Sequence, residues 1–114
     1  MPARAVIHLV ARRLRADHRD RVIAWLGGID GPRRPEALES LAAEGVDHET
    51  AMIIDTSEGP IIVYAMQTDD LERSRAVTDK SQRPIDAEHR AVMRAADAGP
   101  VAAEIVLDLR ADER

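Results

Sequence analysis

Apolar residues alternate along the first stretch of the chain. Ala5, Ile7, Leu9 and Ala11 share one parity and Val6, His8, Val10 and Arg12 the other, which predicts a strand over Ala3–Arg13 with two usable faces. The period then changes. Val22, Ile23, Leu26 and Ile29 recur at helical spacing after Asp17, the expected N-cap, and Gly27-Gly28 is the expected stop. A turn over Asp30–Arg34 leads to a short helix opened by Pro35, carrying Leu38, Leu41 and Ala42 and ended by Gly45. Two strands follow, Glu49–Asp55 and Pro60–Gln67, joined through Thr56-Ser57-Glu58-Gly59. Thr68 is the expected cap of a third helix, with Asp69 and Asp70 in its first turn and Leu71, Ser74 and Val77 or Thr78 turned inward. Pro84-Ile85-Asp86 restarts the chain, Asp86 being the expected N-cap of a helix over Ala87–Ala98 that Gly99-Pro100 ends. The last expected strand, Ala103–Leu109, sets Ile105, Leu107 and Leu109 against Glu104, Val106 and Asp108.

This order reads as one α+β domain over residues 1–114, a ferredoxin-like βαββαβ arrangement in which each helix is split in two. Right-handed crossovers then give an antiparallel four-stranded sheet in the order four, one, three, two. Ile7 and Leu9, with Ile105, Leu107 and Leu109, are assigned to the helix-covered face. Val6, His8, Val10, Glu104, Val106 and Asp108 fall on the open one. The central strands are apolar on both sides, more so than a sheet with one wet face requires. A second copy covering the open face, as in a dimeric α+β barrel, is the expected solution, so the expected partner is the chain itself as a homodimer.

Composition narrows the chemistry. The 114 residues include no Cys, which removes disulfides, thiolate nucleophiles and Cys-ligated metal sites. Aromatics are 2% of the chain, Trp25 and Tyr64 alone, and the net charge is −5; a base-stacking nucleic-acid module needs more of the first and the opposite sign of the second. The Arg12, Arg13, Arg15, Arg19 and Arg21 cluster is interrupted by Asp17 and Asp20 and reads as a solvated surface. No apolar run is long enough for a membrane span, and the first ten residues lack a signal-peptide layout. A cytoplasmic protein without nucleic-acid or membrane partners is expected.

Few residues carry chemistry. His89 lies close to Asp86 and Glu88 at an expected helix start; a carboxylate-oriented imidazole there can act as acid or base. The plainer reading makes Asp86 a cap, Glu88 a favourable charge near the helix N-terminus, and His89 a packing residue beside Val92, Met93 and Ala96. His8 and Tyr64, on neighbouring central strands, are expected to point into one cavity. Glu49 or Glu104 would serve as hydrogen-bonding partners there, and both, with Asp86, are the expected ligand-binding residues. His8, His48, His89, Glu44 and Glu49 lack the tight spacing of a metal site, and no phosphate-cradling glycine loop occurs, so no metal or organic cofactor is expected.

The segments Glu36–Val46, Glu49–Asp55, Val63-Tyr64-Ala65-Met66 and Asp70-Leu71, and above all Pro84-Ile85-Asp86-Ala87-Glu88-His89-Arg90, resemble a small bacterial and archaeal family of unknown function. Its members carry a His-Pro-Ile-Asp-x-Glu-His segment. Arg83 stands where that family tends to have His, and Ala65 where a second Tyr is common. The resemblance implies a dimeric ferredoxin-like fold and brings no established activity. Two functions follow as expectations. One is a small-molecule-binding protein of dimeric α+β barrel type acting as a cofactor-independent enzyme, with His89 or His8 moving a proton beside Tyr64. The other is a non-catalytic ligand-binding or assembly module in which the same groups only hydrogen-bond.

Overall fold

A computed structural model describes residues 6–114, so the Ala3–Ala5 end of the expected first strand lies outside the described residues. Strand β1 spans Val6–Leu14, and a 3-10 turn at Ala16–His18 leads into helices α1 (Arg19–Asp30) and α2 (Arg34–Glu44). Strands β2 (Val46–Thr56) and β3 (Gly59–Thr68) form a hairpin; helices α3 (Leu71–Lys80) and α4 (Pro84–Ala96) follow, then strand β4 (Asp97–Val101). One four-stranded antiparallel sheet results, ordered β2-β3-β1-β4.

Several helix ends differ from expectation for local reasons. Asp17 does not cap α1: its carboxylate meets His18 Nδ1 at 3.0 Å and Arg15 at 3.4 Å, and His18 takes the N-cap position without a side-chain bond. Gly27-Gly28 does not stop α1, which ends at Gly31. Each helical glycine costs about 1 kcal/mol relative to Ala, and the packing of Val22, Trp25 and Leu26 on the sheet outweighs that cost. Thr68 does not cap α3; Asp70 does, accepting from the Arg73 amide at 2.9 Å. The Thr68 hydroxyl instead donates to the Gly45 carbonyl at 2.9 Å, tying the end of β3 to the end of α2. Gly45 stops α2 as expected, in the left-handed region at φ 73°, where a Cβ would also meet the Arg73 guanidinium at 2.8 Å. Asp86 is inside the first turn of α4, which begins at Pro84 after Arg83.

The largest corrections concern the last strand and the faces of the sheet. β4 is Asp97–Val101, not Ala103–Leu109, and residues 102–110 carry no regular structure. In β1, Val10 faces Tyr64 and Arg12 faces Ile62 across the ladder, and Ile62 is fully buried. The even-numbered residues of β1 and β3 therefore point to the helices, together with Ala51 and Ile53 of β2. Ile7 and Leu9 lie on the open face instead, where with Met52 and Ile54 they are 37% to 47% exposed. Both parities are apolar, so alternation alone could not orient the sheet; the bulk of Leu14 and Ile62 beneath the helices settles it.

Leu14, Val22, Ile62, Val92 and Ala96 form the core, with Trp25, Leu26, Ile53, Tyr64 and Met93 packed around it. Helices α1 and α4 thus meet over β1 and β3. No helix of the described residues is long and apolar enough to cross a membrane. Truncating Ile62 to Ala removes methylenes from the centre of this cluster and should cost about 2–5 kcal/mol, read by urea denaturation. A loss below about 0.5 kcal/mol, the size of a harmless surface change, contradicts this placement.

Candidate functional site

Where α1 and α4 cross the sheet, three ring side chains meet. Trp25 comes from the buried stripe of α1, His89 from the face of α4 that also carries Ile85, Val92 and Ala96, and Tyr64 from the centre of β3. Trp25 Nε1–H donates to His89 Nδ1 at 2.9 Å, and Tyr64 Oη lies 3.3 Å from His89 Nε2. The Tyr64 ring stands nearly edge-on to the imidazole at 80°. Arg33 covers Trp25, its guanidinium carbon 5.5 Å from the ring centroid, and is held there by Glu36 at 2.9 Å and by Glu88.

The direction of these bonds follows from the donors. An indole N–H can only donate, so His89 Nδ1 must be the bare nitrogen and the neutral ring carries its proton on Nε2. That proton goes to the Tyr64 oxygen, leaving the phenol proton free to point elsewhere. Burial lowers the His89 pKa, with the Asp86 charge acting weakly the other way. Burial raises the Tyr64 pKa, and the charge of Glu49 adds to the rise. Near neutral pH the pair is therefore a neutral imidazole and a phenol.

Tyr64 and His89 line a cavity of about 300 Å³ with Arg12, Leu14, Met93, Arg94 and Asp97. Arg12 is committed within it: Nε and one terminal nitrogen grip the Asp97 carboxylate at 2.8 and 2.6 Å, tying β1 to the first residue of β4. The same contact holds the Asp97 pKa down. Arg94, by contrast, is exposed and makes no ion pair among the described residues.

The other expected site residues are placed differently. Asp86 does not orient His89. It accepts from Ser40 Oγ at 2.6 Å and from Ser81 Oγ, pinning α2 and the turn before α4. Ser40 Oγ also lies 3.1 Å from a Glu44 carboxylate oxygen, a second acceptor for its one proton; burial raises the Glu44 pKa and the Ser40 contact acts the other way. His8 shares the helix-covered face with Tyr64, two ladder pairs along, but does not line the cavity. Its Nε2 is buried without a hydrogen-bond partner among the described residues. Glu49 faces Met66 on the edge strand. Burial of its carboxyl and the neighbouring Glu44 push its pKa up to about 7. Glu104 is exposed in the segment after β4, away from the cavity. No group of three His, Asp or Glu side chains among the described residues is arranged to hold a metal ion.

The sequence reading missed Trp25, Arg12, Arg94 and Asp97. Only Trp25 had a usable signal, since a lone Trp on a helix stripe needs an acceptor for its N–H. The model of a family described as being of unknown function (DUF6176) matches residues 6–113. No curated protein and no solved structure matches the chain.

The neutral His89 has a linked effect on stability. Above its ordinary value of 6.5 neither the folded nor the unfolded chain protonates this ring. As pH falls through that value the unfolded chain takes up the proton first, so stability is lost on acidification. Replacing Trp25 by Phe removes the donor that occupies Nδ1, and the His89 pKa should rise toward 6.5 in an NMR titration. An unchanged or lower value contradicts the hydrogen-bond assignment.

Proposed function

We propose that this chain, which belongs to the family of unknown function DUF6176, binds a small organic anion bearing a carbonyl oxygen. The binding site is the cavity beside Tyr64. The observation that carries this reading is the one-way hydrogen-bond chain Trp25 to His89 to Tyr64, whose last free proton is the phenol's. That proton suits a carbonyl oxygen, and the unpaired Arg94 on the same wall suits a carboxylate. The cavity is at the small end of ligand sites, which favours a compact acid.

In an enzyme of this design Tyr64 is the catalytic residue, donating to an oxygen that gains negative charge without any cofactor. His89 is then a positioning residue. Acting as a base would require it to release the Trp25 N–H from Nδ1, while passing on its Nε2 proton would leave an anionic ring. The non-catalytic reading uses the same contacts for binding alone. Titration with sodium pyruvate, followed by NMR, should shift the Trp25 indole and His89 resonances. Tyr64→Phe should weaken binding about tenfold, the value of one hydrogen bond of about 1.4 kcal/mol. Shifts confined to other parts of the chain contradict the site.

The assembly reading is a ferredoxin-like dimeric α+β barrel in a cytoplasmic setting, with two sheets meeting through their open faces. Support comes from Ile7, Leu9, Met52 and Ile54, four large apolar side chains exposed on one sheet. Such a pairing should bury about 1,200 Å² or more. Light scattering should return about twice the chain mass of 12.6 kDa. Leu9→Asp should return the single mass, because it sets an unpaired carboxylate in the interface. A wild-type mass of one chain contradicts the dimer.

A further inference from the structure

The sheet leaves one strand flank unfilled. β1 pairs with β3 along Val6–Arg13, but β4 reaches only Ala11, Arg12 and Leu14 on the other side. Beside Val6–Val10, no described strand completes that flank. The chain meanwhile runs on past Val101 as an unstructured segment that alternates like a strand. Val106, Leu107 and Leu109 in it are 72% to 85% exposed. An open flank and a strand-forming segment long enough to span it are complementary, since each lacks the ladder hydrogen bonds that the other offers.

Register identifies what would meet. Ala11 faces Val101 and Arg12 faces Pro100, so an antiparallel strand continuing that ladder sets Leu9 against Ala103, His8 against Glu104 and Ile7 against Ile105. The alternation then agrees on both faces. Ile105 joins Ile7 on the apolar open face, and Glu104 comes beside His8 on the helix side. His8 Nε2 is a buried polar atom without a hydrogen-bond partner among the described residues, and a carboxylate delivered by the added strand is an acceptor of the kind it needs.

We infer that two copies of this chain exchange their 102–109 segments, each arm pairing with the Val6–Val10 flank of the partner's β1. This rests on the dimer proposed above and adds how it is closed. In the single chain the arm leaves this flank after Val101 and runs on unpaired, with Val106, Leu107 and Leu109 exposed. The occupant of the flank is therefore the arm of a second copy, brought alongside by the two-fold pairing of the open faces.

The absence of cysteine makes the test clean. Facing positions of an antiparallel ladder are close enough for a disulfide. Chains carrying Ile7→Cys and chains carrying Ile105→Cys are unfolded in urea, mixed, refolded and mildly oxidised. Exchange predicts a covalent dimer in the mixture, with a disulfide joining positions 7 and 105, that neither chain gives alone. Leu9→Cys with Ala103→Cys is the second pair, should the first not refold. A third variant, Glu104→Ala, should weaken the dimer about tenfold by light scattering. Dimers without the mixed disulfide in either pair overturn the exchange and leave the dimer standing. A disulfide found only within single chains carrying both substitutions assigns the flank to the chain's own arm and also overturns it. A single-chain mass for the wild type overturns both.

Discussion

The indole N–H of Trp25 has only one thing it can do, which is to donate, and its acceptor is Nδ1 of His89. That restriction fixes where the imidazole proton sits, and through it the orientation of the Tyr64 hydroxyl 3.3 Å away. The contact spans three elements, α1, α4 and β3, and it lies against the core of Leu14, Val22, Ile62, Val92 and Ala96. Packing brings the rings together, and the hydrogen bonds give the pocket a polarity. Arg33, clamped by Glu36 and Glu88, covers the outer face of Trp25 and helps keep it in place.

Charges around the rings are arranged so that few act on them directly. Asp86, three residues before His89 on α4, is occupied by two serine hydroxyls. Arg12 and Asp97 neutralise one another in a bidentate pair that also holds β4 to β1. What remains facing the cavity is the phenol, the imidazole, the apolar Leu14 and Met93, and the uncommitted guanidinium of Arg94. Burial keeps the imidazole neutral and the phenol protonated, so the site is built to offer hydrogen-bond donors. A proton-accepting imidazole would require a different partner at Nδ1.

Much of the architecture was legible because it depends on period and punctuation. The β2–β3 hairpin, the stop at Gly45 and the restart at Pro84 all have local causes. The orientation of the sheet was not legible, because Val6, His8 and Val10 alternate with Ile7 and Leu9 at similar apolarity. β4 was misplaced because Gly99-Pro100 resembles a helix stop. It lies instead on an edge strand, where a proline without an N–H is tolerated. In the site, Tyr64 and His89 were named as candidates and come together, but their connection runs through Trp25, a contact 64 residues apart in sequence. Arg94 and the Arg12–Asp97 pair carry no spacing signal at all, since only the pairing of β4 with β1, just after α4, makes them neighbours.

The most direct test of this account is the tautomer of His89 near neutral pH, read from the nitrogen shifts of the imidazole in a long-range ¹H–¹⁵N spectrum. The account predicts a protonated Nε2 and a bare Nδ1, with the Trp25 indole proton shifted downfield by its hydrogen bond. A ring protonated on Nδ1, or on both nitrogens, would contradict it, because Trp25 would then face a second donor and the Tyr64 proton would no longer be directed into the cavity.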